Sequence, residues 1–156
     1  MLRVSADCDC GVLSLFDLAY HSPGSPAKSK EIAHRQTLSK GYVEQVFEKL
    51  KRAHLVKSDR GPTGGYSLAK SYDGISIGDI IRAVDGPIEL VFCVGDSDKP
   101  GVSCERIHAC VTRDVWMVGS GVLMRFFDSV TLADLCDKAR EQGIQSASEQ
   151  ELMYYI

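Results

Sequence analysis

Between Cys10 and Tyr20 the apolar residues Val12, Leu13, Leu15, Phe16, Leu18 and Ala19 recur at helical spacing, and His21-Ser22-Pro23-Gly24-Ser25-Pro26 then stops the run. This predicts a first helix with one apolar face. A second, shorter helix fits Lys28 to Gln36, with Ile32 and Ala33 facing inward. After the turn Thr37-Leu38-Ser39, Ser39 is a suitable N-cap for a third helix that reaches Ala53 or His54. Its apolar positions Val43, Val46, Phe47 and Leu50 fall at i, i+3, i+4 and i+7, leaving Lys40, Tyr42, Glu44, Gln45 and Lys49 on other faces. Two helices joined by a tight turn, the second with a polar start, form a helix-turn-helix pattern.

The period then changes. Leu55 to Asp59 and Tyr66 to Ala69 read as two short strands separated by Arg60-Gly61-Pro62-Thr63-Gly64-Gly65, a turn whose glycines supply positive φ. A hairpin directly after a recognition helix is a wing. Ile75 to Val84 predicts a fourth helix, closed by Asp85-Gly86-Pro87. Thr112 to Phe127 predicts a longer one that is apolar around much of its circumference, through Val115, Trp116, Val118, Val122, Leu123, Phe126 and Phe127. A small winged domain cannot cover such a helix, so it calls for a partner, and a second copy of the chain is the expected one, with Trp116 as an interface anchor. A last helix fits Leu132 to Glu141 after Thr131, and the tail from Gly143 onward carries no clear commitment.

The fold expected is mainly α with a small β-hairpin wing. It divides into a winged helix-turn-helix DNA-binding domain at 1–87, a loop at 88–111, a dimerisation helix and C-terminal helix at 112–142, and a tail at 143–156. The chain has 156 residues and a net charge of −3, which by itself selects no partner. The distribution says more: residues 28–60 hold nine Lys and Arg against four Asp and Glu. A local basic surface on an acidic chain suits a polyanion that touches one region only. The most apolar window, residues 115–124, is far shorter than the roughly 20 residues that span a bilayer. With no signal-like segment at the start, a cytoplasmic protein is expected, without a membrane partner.

Six cysteines in a reducing compartment point to metal or redox chemistry rather than to a disulfide framework. Three of them, Cys93, Cys104 and Cys110, fall in one glycine- and charge-rich loop, with ten residues in the first gap and five in the second. Such a loop can wrap three thiolates around one metal centre. Cys136, among Leu132, Leu135 and Ala139, reads as a buried thiol. No Ser/His/Asp set, nucleotide-binding glycine loop or carboxylate pair supports catalysis, so no enzyme is expected.

Taken in order, Leu15-Phe16-Asp17-Leu18-Ala19, Lys30-Glu31-Ile32-Ala33, Tyr42-Val43-Glu44-Gln45-Val46-Phe47, Leu50-Lys51-Arg52-Ala53, Arg60-Gly61-Pro62-Thr63-Gly64-Gly65-Tyr66, Ile80-Ile81-Arg82-Ala83-Val84-Asp85-Gly86-Pro87 and Thr131-Leu132-Ala133-Asp134-Leu135 form a recognisable series. It resembles the bacterial winged-helix transcription regulators of the IscR/NsrR type, which sense through iron-sulfur clusters. The resemblance runs from about residue 2 to about residue 138. It implies that the third helix enters the major groove of double-stranded operator DNA and that the wing lies near the minor groove. By position, Ser39, Tyr42, Glu44 and Gln45 are then helix contacts, with Arg60 and the glycine turn, Gly61 and Gly64, on the wing. Gln suits adenine edges, Glu cytosine N4, and Arg a narrow minor groove. Lys40, Lys49, Lys51 and Lys57 would add phosphate attraction.

The same resemblance implies an iron-sulfur cluster on Cys93, Cys104 and Cys110, with 2Fe-2S preferred to 4Fe-4S. The first gap is longer than is usual for the family. Where some members have a histidine three residues beyond the last loop cysteine, this chain has Arg113, which cannot ligate iron. His108 matches no family ligand and reads as an exposed loop residue. Asp9 aligns with an aspartate that, in other members, reaches across from the second subunit, and its neighbours Cys8 and Cys10 are the alternatives. Two rival readings remain: a cluster-free regulator whose cysteines form a thiol switch or zinc site, and an electron carrier built on the same fold.

Overall fold

The computed structural model describes residues 3–94, 104 and 109–148. Six helices and one two-stranded antiparallel hairpin make up these residues, so the chain is mainly α with a winged helix-turn-helix core. α1 spans Ala6–His21, α2 Ser29–Arg35 and α3 Lys40–Arg52. β1 (Val56–Asp59) and β2 (Gly65–Leu68) form the wing, with Val56 opposite Leu68 and Asp59 opposite Gly65. α4 (Ile77–Val84), the long α5 (Val111–Ser129) and α6 (Leu132–Glu141) follow.

α1 begins four residues before the expected start. Ser5 caps it by accepting the Cys8 N–H at 2.9 Å, and Asp7 and Asp9 place negative charge at the positive end of the helix dipole. The apolar period starts later than this cap, which is why hydrophobicity alone placed the boundary too far along. α4 starts two residues later than expected because Ser76 and Asp79 make a capping box and Ser76 forms a short β-bridge with Thr131. In that bridge Ile77 N–H donates to the Val130 carbonyl and Leu132 N–H to the Ile75 carbonyl, which ties the start of α6 to the start of α4. Thr131 caps α6 in the same way.

The core is shared by the helices of the winged domain and α6. Leu15, Ile32, Val43, Val46, Phe47, Leu50, Ile75, Ile80 and Leu132 have no solvent exposure, and each such aliphatic or aromatic side chain contributes about 1.5–3 kcal/mol on burial. Gly11 lets α1 approach α3 and α4, since a Cβ there would stand 3.2 Å from Ile80 and 3.3 Å from Val84. The wing is seated on α3 by the stack of Tyr66 on Phe47, ring centroids 4.4 Å apart. Ala27, just before α2, exchanges two backbone hydrogen bonds with Tyr66, at 2.8 and 2.9 Å. The wing is thereby tied to both helices of the reading unit.

α5 behaves differently from the others. Ser120 is its one buried residue, while Val111, Val115, Val118 and Phe126 are each more than half exposed. Among the described residues no helix is long and apolar enough to cross a membrane. The start of the C-terminal segment is better anchored than its composition suggests. Tyr20 OH donates to the Ile144 carbonyl, Ser146 Oγ to the Tyr20 carbonyl, and Ala147 N–H to His21 Nδ1. These bonds correct the expectation of an uncommitted tail as far as residue 148; residues 149–156 lie outside the described part.

Candidate DNA-reading face and cysteine loop

Ser39 N-caps α3, its hydroxyl accepting the Tyr42 N–H at 3.2 Å, and the turn before it is closed by Leu38 N–H donating to the Ala33 carbonyl. This local chemistry presents Ser39, Lys40 and Gln45 to solvent at the start of the helix while Val43, Val46, Phe47 and Leu50 face inward. Glu44 is half-buried and not free: Ser29 Oγ donates to it at 2.8 Å, and Lys40 pairs with it at 3.4 Å. Across the wing, Arg60 and Gly61 are exposed at the turn. Gly61 has φ +117°, and a Cβ on Gly64 would stand 2.2 Å from the Asp59 carbonyl oxygen, so the turn requires glycine at both places. Ser67 Oγ donates to Asp59 at 2.7 Å and steadies the strand beneath it.

Tyr42 and Lys49, expected on the DNA side, also bond to α1. Tyr42 OH donates to Asp7 Oδ1 at 2.8 Å, and Lys49 Nζ pairs with Asp7 Oδ2 at 2.6 Å while reaching the Val84 carbonyl at 3.4 Å. Both are half-buried and turned onto α1, drawn there by one carboxylate. The Lys49 and Tyr42 contacts hold the Asp7 carboxyl below its ordinary range. Desolvation, with the Asp7 bond adding to it, pushes the Tyr42 phenol up to about 12. Asp7 was not singled out from the sequence; the signal available was its place in the first turn after the Ser5 cap. Ser29, the partner of Glu44, was missed as well, because it comes from a different helix.

The second structural anchor is Asp17. It is fully buried on α1, where Arg35 Nη2 meets it at 2.6 Å, Arg35 Nε at 3.0 and 3.2 Å, and Gln36 Nε2 at 3.0 Å. α2, the first helix of the reading unit, is therefore clamped to α1 by charge-assisted bonds.

None of the six cysteines forms a disulfide. Cys93, Cys104 and Cys110 are half-exposed, whereas Cys8, Cys10 and Cys136 are buried. Arg113 Nε donates to the Cys93 carbonyl at 2.9 Å, which ties the start of α5 to Cys93. Cys110 Sγ lies 3.2 Å from the Thr112 hydroxyl. Among the described residues no three His, Cys, Asp or Glu side chains converge on one point where a metal ion could sit. His108 falls outside the described residues. Asp9 is exposed on the first turn of α1.

Cys8 and Cys10, the alternative ligands, are each 1% exposed on α1, within the core. Burial, helped by Asp85 and Asp9, pushes the Cys8 thiol up to about 11, and burial raises Cys10 also.

A reading helix with an exposed polar start, a glycine-turned wing tied to it and a helix-turn-helix held on a buried core define a winged-helix DNA-binding regulator. The Rrf2 family, described as iron-dependent transcriptional regulators, matches residues 4–138. The chain is 36% identical over 134 residues to the HTH-type transcriptional regulator IscR of Vibrio cholerae, covering 86% of this chain and 75% of that one. Among solved structures it is similar to T. potens IscR, at 36% identity and TM-score 0.72, over 96% of both chains. It is similar too to CymR, the global cysteine regulator of B. subtilis, at 34% identity and TM-score 0.70, over 88% of this chain and 98% of that one. The chain belongs to the Rrf2 family of transcriptional regulators, and it is not an enzyme.

Proposed function

We propose that this regulator reads operator DNA as a homodimer, with α3 in the major groove and the wing beside it, and that Cys93, Cys104 and Cys110 hold an iron-sulfur cluster whose state governs the binding. The observation that carries the reading is the set of three half-exposed cysteines, none in a disulfide, on the segment leading into α5, in a chain of this family. The donor chemistry suits a cluster. One further ligand is needed, and Asp9, exposed on α1, is its candidate, supplied from the second subunit. Bound there, the cluster would supply a redox-active centre, with 2Fe-2S preferred to 4Fe-4S. The dimer is supported by the apolar surface that α5 leaves open at Val115, Trp116, Val118, Val122 and Phe126.

Ser39, Lys40, Glu44 and Gln45 on α3, with Arg60, Gly61 and Gly64 on the wing, form the DNA-reading set in this proposal. A second reading has a specific observation behind it. The similarity to CymR, a cysteine regulator, extends over most of the chain. On that reading the cysteines work without a cluster, as a thiol switch or a zinc site.

Anaerobic purification with visible spectroscopy and iron and sulfide analysis, on the wild type and Cys104→Ala, decides between them. A coloured wild type with acid-labile sulfide and a bleached variant is the outcome expected. A colourless protein after cluster reconstitution, carrying zinc or no metal, sinks the cluster and leaves the thiol or zinc reading.

A further inference from the structure

Asp7 joins three helices through one side chain. It stands on the first turn of α1, accepts from Tyr42 on the first turn of α3, and pairs with Lys49 two turns further along α3. Lys49 in turn donates to the last carbonyl of α4, at Val84. The two α3 partners lie seven residues apart, so the carboxylate grips the reading helix near both ends and fixes its rotation and height on α1. Hydrophobic contacts along Val43, Val46 and Leu50 are non-directional. Two hydrogen bonds accepted by one carboxylate add a directional constraint.

We infer that Asp7 is a positioning residue for DNA recognition: it sets the presentation of Ser39, Glu44 and Gln45 to the bases without touching DNA itself. The inference rests on the DNA-reading assignment above and extends it to a residue outside the reading face. Its consequence has an unusual sign. Removing a carboxylate from a protein that binds a polyanion should, by charge alone, tighten binding to every duplex. Loss of a positioning contact instead weakens binding to the correct sequence and leaves binding to random sequence the same or tighter.

The test uses the full chain, an operator selected by the wild type from a random-duplex library, and a random duplex of equal length. Binding is measured for the wild type and for Asp7→Ala, Asp7→Asn, Tyr42→Phe and the Asp7→Ala/Tyr42→Phe pair. Asp7→Ala should weaken operator binding about tenfold, the scale of one lost charge-assisted bond, with no loss on the random duplex. Asp7→Asn keeps an acceptor for Tyr42 and should lose less. The double variant should be no worse than Asp7→Ala, because both changes break the same contact. Operator binding that stays level or tightens in Asp7→Ala, even with a lower Tm, would make Asp7 a stability residue only and overturn the inference. Equal losses on both duplexes would overturn it as well. Failure of the wild type to select any sequence would remove the DNA-reading assignment itself, and the inference with it.

Discussion

Arg35 closes on Asp17 through both Nε and Nη2, and the carboxylate it grips has no solvent exposure at all. The pair crosses from α2 to α1, so the helix-turn-helix is held to the body by a buried charge as well as by apolar packing. Truncating one partner of a buried pair leaves the other uncompensated. Asp17→Ala should cost about 3–5 kcal/mol of folding stability, read as a lower urea midpoint with an unchanged m-value. A loss below about 1 kcal/mol would mean that the pair is no better than a surface bridge.

Lys40 and Lys49 lie on the same helix with different neighbours. Lys40 is exposed beside Glu44, whereas Lys49 is neutralised by Asp7. If Lys40 meets a phosphate, Lys40→Met lowers the slope of log K against log salt by about one. Lys49→Met leaves the slope unchanged. Titrations of operator binding at several salt concentrations separate the two, and equal slope changes would contradict the geometry.

The wing turn depends on two close approaches of backbone to backbone. A Cβ on Gly64 would meet the Asp59 oxygen at 2.2 Å, and one on Gly65 would meet the Ala27 oxygen at 2.4 Å. Neither neighbour can rotate away, so Gly64→Ala and Gly65→Ala should each cost about 1–3 kcal/mol and weaken operator binding. Gly74→Ala, in open space, serves as the control and should be neutral in thermal melts.

His21 accepts the Ala147 N–H, and its pKa lies below the ordinary 6.5, chiefly through burial, with Asp17 opposing and Arg35 adding to the shift. The folded state therefore binds this proton less readily than the unfolded one. The contribution is fully present above about pH 6.5 and is lost as pH falls from there through the depressed value. Thermal melts of the wild type should show a drop in Tm between pH 7.5 and 5.5 that is smaller in His21→Phe. That variant keeps a ring beside Phe16 and Tyr20 but has no site to protonate.

Much was legible along the chain because it is local. The Ser39 cap, the i, i+3, i+4, i+7 stripe of α3, the glycine turn of the wing and the Thr131 cap of α6 are set by residues within a few positions of one another. The boundary of α1 was missed for the same kind of reason: its cap lies ahead of its apolar stripe, and the stripe was the stronger signal. The structure buries Cys8 and Cys10 on that first part of α1.

What the sequence determined by itself was the order and type of the elements, the basic reading unit and the three thiols of one loop, because periodicity, capping and turn chemistry act over short distances. Only the tertiary structure decided which polar groups are spent inside the protein. Asp7 bonds Tyr42 and Lys49 to α1, Asp17 takes Arg35, and Ser29 takes part of Glu44. Each of these bonds joins residues from different helices. Its formation depends on how those helices pack, which no run of neighbouring residues specifies.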